Sequence, residues 1–157
     1  MALSFRISAL PREPFEALFA LGELELARLG MRRRLAREKP GYPCRVSLED
    51  ASVGESVLLL PFEHHAVDSP YRASGPIYVR EGAVRASPGA GEVPAFFRHR
   101  LLSARAYSAK GMMRDAEVVE GTDLEAALEA LFADPKVAYV HLHNAKPGCF
   151  MARVDRA

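Results

Sequence analysis

Only one segment of this chain carries a long helical period: TDLEAALEALFADP, Thr122 to Pro135. Leu124, Leu128, Leu131 and Phe132 recur at the spacing of a single helix face, and Asp134-Pro135 stops the pattern. Thr122 and Glu125 have the spacing of a capping box, in which each side chain satisfies a free backbone N–H at the helix start. The other apolar runs are short, and glycine and proline separate them. FRISAL (Phe5 to Leu10), SVLLL (Ser56 to Leu60), IYVRE, LLSARAY, MMRDAEVV and VAYVHLH read as strands. Short turns join most neighbours, which makes them antiparallel. The expected fold is α+β: a single domain over residues 1–157, with one largely antiparallel sheet and helices packed on one face.

Finer expectations follow from the punctuation. Pro14 opens a first helix, where a missing N–H costs nothing, and ELELARL continues as a second helix that Gly30 ends. Arg32 to Glu38 reads as a strand. Its Arg32-Arg33-Arg34 run suits a charged edge that resists aggregation. Glu38 to Cys44 and His64 to Pro76 read as loops. Pro61 should end or bulge the SVLLL strand, because proline donates nothing to a ladder.

Length and charge narrow the function. At 157 residues the chain fits one domain, and 49% hydrophobic residues suffice for a core. A net charge of +1 argues against nucleic-acid binding, which calls for a basic excess. The bias toward Ala, Arg, Gly and Pro points to a GC-rich genome, so the arginines need no functional cause. Two cysteines, Cys44 and Cys149, are too few for a disulfide framework. MALSFRISALPREPF has no apolar signal core, and no run approaches the roughly 18 apolar residues of a membrane helix. The expectation is a soluble cytoplasmic protein with reduced thiols.

The chemistry-bearing residues concentrate near the carboxy terminus, in VAYVHLHNAKPGCFMARV. Strand alternation puts Tyr139, His141 and His143 on one face and Ala138, Val140 and Leu142 on the other. A five-residue loop from Asn144 to Gly148 would set His143 opposite Cys149, His141 opposite Met151 and Tyr139 opposite Arg153. Three chemistries fit that arrangement. His141, His143 and Cys149 could ligate zinc; no other cofactor is expected. His143 could serve as a base for a Cys149 nucleophile. His141, His143 and Arg153 could bind an anion without further chemistry. The plain alternative is an exposed sheet face whose histidines bond to water. In the loops, Arg45, His64, Tyr71 and Arg72 suit recognition of a carboxylate or phosphate, although turn geometry and loop packing explain each residue singly.

EKPGYPCRVSLEDA, EHHAVDSPYRASGPIYVREG, RLLSARAY with GMM, and DPKVAYVHLHNAKPGCFMARVDR together resemble a small bacterial family known as domain of unknown function 1203. The resemblance runs over nearly the whole chain and implies a single-domain bacterial protein. It implies no activity, substrate or catalytic residue. Two functions from different classes therefore stand as expectations. One is a small-molecule site, binding or enzymatic, for an anionic ligand, lined by His64, Tyr71, Arg72, Arg45 and His141, with His143 and Cys149 as catalytic candidates. The other is an interaction or structural protein, a homodimer built through an edge strand, with no catalytic site.

Overall fold

The structure, a computed structural model, describes residues 4–157. The expectation of no leader therefore includes three residues, Met1 to Leu3, that lie outside the described ones. Ten strands run β1 (Phe5–Ser8), β2 (Arg32–Leu35), β3 (Pro43–Cys44), β4 (Glu49–Asp50), β5 (Ser56–His65), β6 (Ala73–Arg80), β7 (Leu101–Tyr107), β8 (Met113–Glu120), β9 (Tyr139–Asn144) and β10 (Phe150–Arg156). The helices are α1 (Glu13–Glu16), α2 (Glu23–Arg28), α3 (Ala95–Arg98) and α4 (Leu124–Phe132). The class is α+β. The strands divide over two sheets of five rather than the one expected, in the orders β1-β10-β9-β7-β8 and β2-β5-β6-β3-β4. Both are mostly antiparallel; β3 and β6 run parallel. No helix among the described residues is long and apolar enough to cross a membrane.

The chain forms two compact units. The first contains the residues up to Ser8, Glu63–Ser74 and Ser87–Ala157; the second contains Ala9–Phe62 and Gly75–Ala86. In the second unit, Phe15 of α1 and Leu26 of α2 pack with Leu58, Leu60, Ile77 and Val79. Strand β2 lies at the edge of its sheet, as the arginine run predicts. There Arg33 bonds to Glu23 and to the carbonyls of Phe19 and Leu21.

β5 does not stop at Pro61. It continues to His65, and β6 begins at Ala73, so the long loop expected from His64 to Pro76 shrinks to the residues between these strands. The register of β2 on β5 ends at Leu59. At Pro61 no ladder bond to β2 is there to be lost, and proline is tolerated. As a result His64 and His65 are strand residues.

In the first unit, strand alternation separates two chemistries. Phe5 and Ile7 of β1, Leu102, Ala104 and Ala106 of β7, Val140 and Leu142 of β9, and Ala152 and Val154 of β10 are all buried. They form the aliphatic face, on which α4 lays Leu124, Leu128, Leu131 and Phe132. Each of these helix side chains contributes roughly 1.5–3 kcal/mol through burial. The helix matches the expected segment, but its start does not. No side-chain cap bond forms there; Gly121–Asp123 makes a 3₁₀ turn instead. The Glu125 carboxylate is held by the Arg98 guanidinium at 2.7 and 2.6 Å, and a bidentate ion pair outcompetes a single backbone N–H.

That turn also explains a glycine. Gly121 N–H donates to Arg100 O at 2.8 Å, and a Cβ at Gly121 would lie 1.7 Å from the Phe97 carbonyl oxygen. The backbone of α3 has no flexible side-chain end with which to give way. Gly121→Ala is therefore expected to cost at least about 2 kcal/mol, read as a lower urea midpoint with an unchanged slope.

Candidate functional site

The face of the first sheet opposite α4 is built by the other phase of the same strands. The register aligns three cross-strand rows. Val118 of β8, Ser103 of β7, His143 of β9 and Phe150 of β10 form the first. Ala116, Arg105, His141 and Arg153 form the second, and Met113, Tyr107, Tyr139 and Asp155 the third. The end of β5 adds His64 and His65. Four of the chain's five histidines thus meet in one cluster. Ring centroids lie 5.0 Å apart for His64 and His143, 5.0 Å for His65 and His141, and 6.3 Å for His64 and His141. Phe150 stacks on His64 at 5.4 Å and meets His141 edge-on at 5.0 Å.

Hydrogen bonds orient these rings. His65 Nδ1 lies 2.8 Å from the Tyr71 carbonyl, which can only accept, so Nδ1 carries the hydrogen. Its Nε2 takes the Tyr139 hydroxyl hydrogen at 2.6 Å. His143 Nδ1 donates in the same way to the Gly148 carbonyl at 2.9 Å. His141 differs: its Nδ1 is buried and has no hydrogen-bond partner among the described residues. With His141 2% exposed, burial pushes its pKa from 6.5 down to about 2, and His65, His143, Arg153 and His64 push the same way. Burial also raises the Tyr139 and Tyr107 hydroxyls above the usual phenol range.

The charged groups beside His141 are unequal. Arg153 lies 4.1 Å over the Tyr139 ring and is closed on Asp155 at 3.0 Å. Arg105 is half-buried and bonds through Nε to Ser103 Oγ at 3.1 Å. Among the described residues no carboxylate pairs with it. Exposure also grades across the sheet. His143 and His141 are buried, Ser103 and Arg105 are intermediate, and Val118 and Ala116 are open. In the His141 row, half-buried Arg105 flanks the ring on the β7 side and exposed Arg153 flanks it on the β10 side.

The residues singled out in the sequence divide accordingly. His64, His141 and His143 come together, and Tyr71 joins through its carbonyl, with its ring 6.1 Å from Tyr107. Arg72 lies outside the cluster; its guanidinium forks onto Glu63 at 2.9 and 3.1 Å. Arg45 belongs to the second unit, where it is buried and donates to the Pro43 carbonyl. Cys149 does not reach the imidazole face. Asn144 and Cys149 close the hairpin, with Asn144 N–H on the Cys149 carbonyl at 2.9 Å, and the register slips at a bulge between Phe150 and Ala152. Phe150 thereby takes the place opposite His143, and Arg153 rather than Met151 stands opposite His141. The Cys149 sulfur receives the Asn144 amide at 3.3 Å. The register therefore does not set Cys149 opposite His143 as expected. No group of three or more His, Cys, Asp or Glu among the described residues is arranged for a metal ion.

Arg105 and Tyr107 were missed. The alternation of LLSARAY places both in phase with Ser103, opposite Leu102, Ala104 and Ala106. That pattern was readable; the pairing of β7 with β9, across an intervening hairpin and helix, was not. The second unit also has a hollow of about 280 Å³ over Phe15, Phe19 and Val79. Both of its rim arginines are already paired, Arg12 with Glu16 and Arg80 with Glu55.

Two outcomes follow. A buried base with a lowered pKa contributes stability above its unfolded value of 6.5, and loses it as pH falls toward about 2, because there only the unfolded state binds the proton. Urea titrations between pH 7 and pH 4 should lose up to about 1.4 kcal/mol per pH unit from this group, and His141→Gln should flatten the slope. Tyr139→Phe strands His65 Nε2 and should cost roughly 1–3 kcal/mol, measured at pH 7.5.

No curated protein and no solved structure matches this chain. The profile of one family, described as protein of unknown function (DUF1203), matches residues 41–156, a span that holds every residue of the imidazole cluster. On that match the chain belongs to the DUF1203 family.

Proposed function

We propose that the imidazole face of the first unit binds a small oxyanion, a carboxylate or a phosphate, at Arg105. One observation carries this reading. A half-buried guanidinium with no carboxylate partner among the described residues shares a cross-strand row with a buried imidazole whose Nδ1 has no hydrogen-bond partner. A cation withdrawn partly from water costs free energy unless a counter-charge meets it, and the planar guanidinium fork fits two oxygens of a carboxylate or phosphate. Ser103 Oγ, already bonded to Arg105, supplies a hydroxyl beside the bound oxygens. His141 supplies a ring nitrogen from the next strand. Low dielectric around the row strengthens a charge-assisted bond over its value in water.

The reading is binding rather than covalent catalysis. The Cys149 sulfur faces the Asn144 amide, and the buried tyrosine hydroxyls hold their protons more firmly than free phenols.

The test is a titration with acetate and with inorganic phosphate at constant ionic strength, followed through the imidazole Cε1–H proton resonances. The His141 and His143 signals should shift saturably with at least one of the two anions. Arg105→Gln should weaken binding by about 10- to 100-fold, the loss of a charge-assisted pair. Arg114→Gln, whose arginine is paired with Asp134, should bind as the parent does. Absence of any shift, or undiminished binding by Arg105→Gln, overturns the reading.

A further inference from the structure

Resting on that reading, we infer that the anion is an aliphatic carboxylate whose hydrocarbon chain lies along the open strip of β7 and β8. The register sets the strip out. Ala116 stands beside Arg105, Val118 beside Ser103, and Glu120 beside Leu101, all on the imidazole side of the sheet. Two of these positions carry exposed large apolar side chains, Val118 at 66% and Leu101 at 37%. Ala116 is exposed as well. A lone exposed valine needs no explanation. An alanine, a valine and a leucine aligned on one sheet face beside an arginine without a carboxylate form a surface with a cationic end and an apolar body.

The charges at its two ends give the strip a direction. Arg105 draws the carboxylate to one end. Glu120, exposed at the other, repels it. A second carboxylate or a phosphate ester would place its further charge against Val118, Leu101 or Glu120, so a monocarboxylate fits and a dianion does not. From the Arg105 row to the Leu101 row is four residues of strand, about 13 Å. With carbon–carbon bonds of about 1.5 Å laid zig-zag, a chain advances about 1.25 Å per bond, so roughly ten to eleven carbons span that distance and the eight of octanoate cover about 9 Å of it. The strip covers a chain on one side only. Each methylene should therefore gain about half of its full burial value, about a twofold increase in affinity per added carbon.

The experiment titrates the full chain with acetate, butyrate, hexanoate and octanoate below their micellar concentrations, at fixed ionic strength. Two readouts are followed, the histidine Cε1–H shifts and the methyl resonances of Val118 and Leu101. Affinity should rise about twofold per carbon, roughly 16-fold from butyrate to octanoate. The Val118 and Leu101 methyl groups should shift with octanoate and not with acetate. Val118→Ser and Leu101→Ser, both at exposed positions, should flatten the series and leave acetate binding intact. 1-Octanol, which lacks the charge, should bind at least tenfold more weakly than octanoate. Acetate binding that requires Arg105, together with a series of equal affinities, overturns this inference and leaves anion binding standing. No binding of acetate, octanoate or phosphate overturns both. A graded series that survives in both serine variants places the chain elsewhere and also overturns it. So does a dimer in sedimentation that Val118→Ser converts to monomer, because the strip is then an interface between copies.

Discussion

A strand with a neighbour on each side has two faces and no edge. β9 occupies that position between β7 and β10, and all but the last of its six residues are buried. Its even-numbered residues, Val140 and Leu142, meet the aliphatic layer under α4. Its odd-numbered residues, Tyr139, His141 and His143, cannot join that layer without a shift of register, which would exchange every side chain between the faces. Everything unusual in the first unit follows from this constraint: three polar aromatic side chains are held inside the protein on the side opposite its hydrocarbon core.

Burial of polar rings is tolerated only with hydrogen bonds or loss of charge, and the cluster uses both. His65 spends one nitrogen on a backbone carbonyl and the other on the Tyr139 hydroxyl. His143 spends Nδ1 on the hairpin loop that follows it. His141 remains neutral because desolvation and neighbouring basic groups all act against its proton. Tilted and stacked rings, His65 on Tyr107 at 4.1 Å and Tyr139 beside Tyr107 at 5.5 Å, fill the space between these bonds. The polarity that survives lies at the margin of the cluster. There Arg105 stands between the closed β9 side and the open β8 side, and this imbalance is what the proposed ligand would complete.

Much of the secondary structure was legible in local pattern. The α4 period, the strand alternation of VAYVHLH and the turn between LLSARAY and MMRDAEVV rest on interactions within a few residues. Local pattern misled where a distant partner intervened. Glu125 had the spacing of a cap, but Arg98 holds it. Pro61 had the look of a strand end, but β2 stops short of it and the strand continues. Cys149 had the right parity to face His143 across a five-residue loop, but the tighter Asn144–Cys149 closure puts Phe150 there instead.

The amino-acid sequence by itself determined the α+β class, the family and the amphipathic phase of each strand, because periods of two and 3.6 residues are properties of a backbone a few residues long. Only the tertiary structure decided that the strands form two sheets, that β5 brings His64 and His65 onto the terminal hairpin, and that Arg105 lies beside His141. Those facts depend on which strands pair. Pairing is set by the packing of residues tens of positions apart, and no spacing along one chain encodes it directly.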